Sequence, residues 1–242
     1  MRRALIVGGA NGIGLTIASI MAQDSRYEKI YILDKVAMEG KYDCDKFSHH
    51  IFDLRSDDYS IFDNFSDIDT LMITAGFGRL AHFADVQEQH IIDSFSVNTT
   101  AVIRIVHHFY KRLLDKQDFY CGIMGSIAGF MSSPLFAIYG ATKAALKIFI
   151  ESVNVELEMA GSSNRILNVS PGSIKGTAFY NKATDLSLTT ELATQIIYHL
   201  ECKDDLFIPQ YDEIYKQVLD RYHTDFRAEG RHSYEYKMKS NR

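Results

Sequence analysis

Residues 4–14 read ALIVGGANGIG, an apolar run that breaks abruptly into Gly8, Gly9, Gly12 and Gly14. The run predicts a buried strand at 3–7 that turns sharply into a helix at 12–23, with Ile13, Ile17 and Ile20 along one side. Glycine costs backbone entropy inside regular structure, so a cluster here serves a tight turn or something pressed against the backbone. Gly8, Gly12 and Gly14 stand where a dinucleotide pyrophosphate docks at a strand-to-helix turn, with backbone N–H groups and the helix N-terminus as the anion site. A plain tight turn shows the same glycines, and this stretch alone does not separate the two.

Beyond it, short apolar runs alternate with longer amphipathic ones. Strands are expected at 29–34 (KIYILD), 49–54, 69–76, 119–126, 165–172 and 205–209, and helices at 85–116, 135–160, 190–200 and 211–223. Strands this apolar, separated by helix-length crossovers, indicate an α/β fold: a doubly wound parallel sheet of about seven strands with helices on both faces. No Pro/Gly/Ser-rich linker divides the 242 residues, so a single domain over 1–242 is expected. Residues 224–242 read as a polar, basic tail, a solvated end or a subunit contact.

A net charge of -5 argues against a nucleic-acid or anionic-membrane partner. Arg2 and Arg3 precede an apolar run that lasts only from Ala4 to Val7, too short for a signal peptide or a membrane span. Cys44, Cys121 and Cys202 have no CxxC spacing, which fits a reducing cytoplasm. The pairs His49–His50 and His107–His108 point apart on a strand or helix, so no metal site is expected.

In a doubly wound fold, ligands bind at the carboxyl ends of the strands near the topological switch point. Asp34 ends the second strand, 20 residues beyond Gly14, where a carboxylate accepts hydrogen bonds from ribose hydroxyls and repels a 2′-phosphate. It favours NAD over NADP, although Lys35 follows it; before Gly12 stands Asn11, with no Arg or Lys. In YGATK, Tyr139 and Lys143 are spaced i, i+4 and share a helix face. A free phenol titrates near ~10, and a neighbouring ammonium brings it toward the working range of a proton carrier. Ser126, at the end of the fifth strand, stands ready to donate a hydrogen bond to the same substrate oxygen.

Over about residues 4 to 180 the chain resembles the short-chain dehydrogenase/reductase family, with its Rossmann-type fold. The TGxxxGIG motif appears as Val7-Gly8-Gly9-Ala10-Asn11-Gly12-Ile13-Gly14, with Val for the threonine. The strand-three aspartate that approaches adenine matches Asp53, followed by Leu54, and NNAG matches Thr74-Ala75-Gly76. The helix asparagine of the proton relay matches Asn98, YxxxK matches Tyr139 and Lys143, and the PG motif beside the nicotinamide matches Pro171-Gly172, with Ile174 and Thr177 following. The resemblance thus implies catalytic Asn98, Ser126, Tyr139 and Lys143. It also implies a cofactor site of Gly8, Asn11, Gly12, Ile13, Gly14, Asp34, Asp53, Leu54, Ala75, Gly76, Tyr139, Lys143, Pro171, Gly172, Ile174 and Thr177. Thr74, in place of the motif's asparagine, is expected to loosen packing at the end of the fourth strand. Thr177 lies one residue further from Pro171 than the family pattern, and after about residue 185 the resemblance fades.

Phe77-Gly78, residues 130–133 and 177–188 are expected to wall the substrate, with Phe130, Phe136, Phe179 and Tyr180 favouring an apolar or ring-bearing molecule. The two long helices carry more apolar surface than one sheet face covers, which with the family's habit points to a homodimer or homotetramer. The expected activity is NAD(H)-dependent interconversion of a secondary alcohol and a ketone. The alternatives are an NAD(H)-binding redox sensor without turnover, and the same chemistry with NADP(H).

Overall fold

The computed structural model describes residues 1–177, 179 and 184–239. Seven strands form one sheet: β1 (Arg2–Val7), β2 (Tyr27–Asp34), β3 (Phe47–Ile51), β4 (Thr70–Ile73), β5 (Tyr120–Met124), β6 (Ile166–Val169) and β7 (Leu206–Phe207). Their order is β3-β2-β1-β4-β5-β6-β7, and every pairing is parallel. Strand order reverses between β1 and β4, whose carboxyl ends carry Gly8 and Thr74-Ala75-Gly76. That is the crevice where such sheets bind ligands.

Successive residues of a strand face opposite sides, and β1 is apolar on both. Leu5 and Val7 join a core with Leu71, Ile105, Ile123 and Leu146. It is closed by α3 (Ala101–Leu114) and α4 (Ala137–Met159). Ala4 and Ile6 join Ile17, Ile32, Met72 and Ile196 on the other face, under α1 (Gly12–Gln23) and α5 (Thr190–Cys202). A sheet buried on both faces explains why its strands read as unbroken apolar runs.

Three expectations change. The helix expected over 85–116 is interrupted: α2 (Glu88–Phe95) passes through a π-helical turn, Ser96–Thr100, into α3. Such a turn inserts a residue without disturbing the apolar spacing on either side, so periodicity does not register it. The strand expected at 205–209 is reduced to Leu206–Phe207, which pairs only with Asn168–Val169. The solvated tail is instead a helix: after a π-helical turn at Tyr211–Tyr215 come α6 (Lys216–Thr224) and α7 (Phe226–Lys239). The few buried positions of α7 are Glu229 and Gly230, so it has no apolar stripe to reveal it.

Candidate active site

The glycine turn is shaped by close backbone approach. Gly8 adopts φ +87°, a conformation that a side chain opposes, and a Cβ there would also lie 2.7 Å from Ala75 Cα. A Cβ on Gly14 would strike Gly8 O and Thr74 Oγ1. Thr74 therefore does the reverse of loosening β4: its hydroxyl donates to Gly8 O (2.9 Å) and lies 3.2 Å from Val7 O, clamping β4 to the turn. Asn11 occupies the N-cap of α1, but its side chain caps no amide; Gly12 N donates to Thr184 Oγ1 (3.4 Å), and the next first-turn N–H groups, of Ile13 and Gly14, keep their capacity for an anion. Asp34 Oδ2 accepts from Ala10 N (3.1 Å) and Oδ1 from Val36 N (3.3 Å), which ties the end of β2 to the same turn.

These residues open onto a cleft of about 1180 Å³. Gly8, Asn11, Gly12, Ile13, Gly14, Asp34, Asp53, Leu54, Ala75, Gly76, Ser126, Tyr139, Lys143, Pro171, Gly172, Ile174 and Thr177 all line it. Of the residues singled out from the sequence, Asn98 stands behind the wall, fully buried within the π-helical turn. Its Nδ2 donates to Phe77 O (2.8 Å) and its Oδ1 accepts from Phe77 N (3.0 Å). A backbone segment between β4 and α2 is held by one side chain, as buried peptide groups require.

Ser126 begins a single 3₁₀ turn, Ile127–Gly129, and its Oγ accepts from Ala128 N (3.2 Å). Tyr139 and Lys143 follow on α4, one turn apart, with Lys143 Nζ 5.7 Å from the Tyr139 ring centre. Lys143 is 3% exposed and donates to Met124 O (2.7 Å); burial pushes its ammonium down to about 8. Beside Gly76, the position a Cβ would take lies 3.3 Å from Asn98 Oδ1 and 3.5 Å from Lys143 Nζ. The missing side chain thus lets both polar groups approach the backbone there.

Asp53, matched by resemblance to the adenine side, is already engaged. Asp53 is ion-paired with Arg55 (2.6 Å), and these hydrogen bonds hold its carboxyl down at about 2. Arg55 also reaches Asp93 (3.5 Å) and lines the cleft, as does Lys35. Thr177 lies against Gly12, 3.4 Å from the Cβ position there, so it covers the glycine turn.

On the opposite side, Phe77, Gly78, Met131, Ser133, Phe136 and Phe179 line the cleft. Phe136 meets Tyr139 edge-on at 5.1 Å, and Phe179 lies 5.3 Å from Tyr139. Phe130 is a correction: it packs with Ile127, Ile208 and Leu219 beneath the site and is not part of the cleft wall, because the 3₁₀ turn directs it there. Tyr180 lies outside the described residues. The far wall comes from the C-terminal helices, through Tyr215, Val218, Arg221, Glu229, Tyr236 and Lys237. The Tyr215 hydroxyl presses on Gly172 where a Cβ would stand. Sequence reading missed this wall; the aromatic and apolar spacing of Ile214, Tyr215, Val218 and Leu219 was its available signal.

Among the described residues, no helix is long and apolar enough to cross a membrane. A family model described as short chain dehydrogenase matches residues 58–186. An uncharacterized short-chain type dehydrogenase/reductase of Sinorhizobium fredii is 27% identical over 175 residues, 71% of this chain and 69% of that one. Among solved structures, a short-chain dehydrogenase from Sphingobium yanoikuyae in complex with NADPH superposes with a TM-score of 0.73 at 22% identity, covering 93% of this chain and 96% of that one. A bulky-bulky ketone specific alcohol dehydrogenase from Comamonas testosteroni gives 0.74 at 22% identity, covering 94% of each. The matched span begins after β3, runs past β6 and takes in Asn98, Ser126, Tyr139 and Lys143. The chain belongs to the short-chain dehydrogenase/reductase family of oxidoreductases.

Proposed function

We propose that the protein interconverts a secondary alcohol and a ketone with NAD(H), using Tyr139 as the proton carrier. The observation that carries this reading is one cleft shared by the Gly8–Gly14 turn, Asp34, Ser126, Tyr139 and a buried Lys143. The donor set suits a dinucleotide: helix-terminal N–H groups for phosphate at one end and a carboxylate for ribose hydroxyls at the end of β2. When bound, the nicotinamide accepts a hydride from the carbinol carbon and returns it in the reverse direction.

In the oxidative direction, Tyr139 Oη takes the substrate hydroxyl proton while Ser126 Oγ donates a hydrogen bond to the same oxygen. The Lys143 ammonium stabilises the Tyr139 phenolate, and in a desolvated site its charge acts strongly. Asn98 Oδ1 and Lys143 Nζ converge on the backbone at Gly76, which supports Asn98 as the next member of the proton relay.

Asp34 supports NAD(H) over NADP(H). Lys35 and Arg55, which also line the cleft, favour the second reading, and Arg55 is already held by Asp53 and Asp93. Comparing dissociation constants for NADH and NADPH separates them; tighter NADPH binding refutes the NAD assignment. For the chemistry, Tyr139→Phe is expected to lower turnover of alcohols and ketones by ~10²–10⁴-fold while NADH binding stays nearly intact, because the ring contacts with Phe136 and Phe179 survive. Wild-type turnover in that variant refutes the assignment. Exposed Ile148, Val155 and Met159 on α4 support a homo-oligomer, which light scattering would size.

A further inference from the structure

The C-terminal segment delivers one phenol to the cleft where β5 and β6 end. Tyr215 closes the π-helical turn Tyr211–Tyr215. That turn is entered through Gln210 at φ 59°, a left-handed conformation that side chains oppose. Gln210 O accepts from both Ile214 N (3.0 Å) and Tyr215 N (3.3 Å), which holds the strained entry in place. Strained residues and π-helical turns both concentrate at functional sites. Here they aim a side chain. The Tyr215 ring packs among Ile127, Ile208 and Leu219, and its hydroxyl rests on Gly172 in the space a Cβ would fill.

Gly172 borders the reacting centre, because Pro171 O accepts from Ile127 N (3.0 Å), the residue after Ser126. At its other end the same segment reaches Thr177, which lies against Gly12. Residues 172–177 thus run from the neighbourhood of Ser126 to the glycine turn along the cleft. A dinucleotide with its phosphates at that turn and its reacting ring at Ser126 and Tyr139 must lay its nicotinamide riboside half along this segment. The Tyr215 hydroxyl stands at the end nearer Ser126. Among the described residues that hydroxyl has no hydrogen-bond partner. Burial, with Tyr236 nearby, raises the phenol above its ordinary range, so at neutral pH it is both a donor and an acceptor. The polar substituent of a nicotinamide ring is a carboxamide, whose oxygen accepts and whose nitrogen donates.

We propose that Tyr215 is a cofactor-binding residue, its hydroxyl hydrogen-bonded to the nicotinamide carboxamide and so setting how the ring faces the substrate. The proposal rests on the oxidoreductase reading of the same cleft. It adds a residue from beyond the span that the family model matches, residues 58–186. The contact concerns the nicotinamide half alone, since the phosphates and the adenosine ribose are assigned to the glycine turn and Asp34.

The test measures dissociation constants by calorimetry for wild type and Tyr215→Phe. One ligand is the reduced dinucleotide that the wild type binds more tightly, NADH or NADPH. The other is the matching fragment without nicotinamide, ADP-ribose or its 2′-phosphate. Phe keeps the ring among Ile127, Ile208 and Leu219, so the turn retains its packing. Tyr215→Phe is expected to weaken the dinucleotide ~3–10-fold and to leave the fragment unchanged. Equal weakening of both ligands makes Tyr215 a support of the fold and overturns the proposal. Unchanged or tighter dinucleotide binding in the variant also overturns it. Both of these results leave the oxidoreductase reading standing, because the wild type still binds its dinucleotide. A wild type that binds neither NADH nor NADPH counts against both.

Discussion

Replacing Lys143 by Met tests the electrostatics on which the proposed chemistry depends. Lys143 is 3% exposed, and burial brings its ammonium from 10.5 down to about 8. At ~1.4 kcal/mol per tenfold change in proton affinity, carrying the charged form inside costs the fold ~3 kcal/mol. Because the folded value lies below the unfolded one, the unfolded chain binds more protons between about 8 and 10.5. Stability therefore rises with pH across that window, and below about 8 the whole penalty is present. Between about pH 7 and about pH 9 the linkage amounts to ~1 kcal/mol of recovered stability, or roughly 2–4 °C in Tm for a chain of this size.

In Lys143→Met this increment disappears, and with it the ammonium's pull on Tyr139, so both proteins are compared in a Tyr139→Phe background, where the remaining ionisable groups titrate alike. At neutral pH the variant sheds the buried charge but leaves Met124 O without its donor, at a cost of ~1–3 kcal/mol. It is thus expected to be as stable as the wild type or up to ~2 kcal/mol more so, with turnover lost. The assay is denaturant unfolding of the cofactor-free proteins at several pH values from neutral to about 9, with NADH-linked activity beside it. Stability curves that run parallel in pH for the two proteins refute the reasoning, since they would mean that Lys143 carries no desolvation penalty.

Thr74→Val keeps the shape of the side chain and removes the donor to Gly8 O; a loss of ~1–3 kcal/mol and weaker NADH binding are expected, with Thr74→Ser retaining most of both. Equal melting of wild type and Thr74→Val in calorimetry would show that the clamp is inert. Asn98→Ala leaves both Phe77 backbone groups without their partner, so a destabilisation of ~2–4 kcal/mol and a raised KM are expected, measured by urea titration and steady-state kinetics. Unaltered stability in that variant would mean that the 77–78 segment is held by other contacts.

What could be read along the chain follows from interactions local in sequence. The glycine turn, Asp34 and the Tyr139–Lys143 pair each depend on a spacing within one strand, turn or helix, and such spacing survives in a linear reading. Thr74 shows the limit: a substitution read as a loosening proves to be a clamp, because its acceptor, Gly8 O, is 66 residues away. The π-helical turn that carries Asn98 was hidden for a different reason, since helices on either side of one extra residue keep the same periodicity. Arg55 joins Asp53, two residues away, to Asp93 on α2, 38 residues away, and only the first of these contacts is local in sequence.

The sequence by itself determined the doubly wound class, the strand ends at which ligands bind and the helix face that carries Tyr139 and Lys143. These follow from apolar runs of strand length and from helical repeat, which do not depend on distant residues. Only the tertiary structure decided what the basic C-terminus becomes. Its polar composition carries no burial signal, and it folds back because Glu229 finds Arg221, Gly230 fits against Ser132, and Lys237 reaches Ser133 and Pro134. The Arg221–Glu229 pair is eight residues apart, but the contacts that bring the wall to the cleft, from Lys237 to Ser133 and Pro134, span 104 and 103 positions, and no local pattern specifies them.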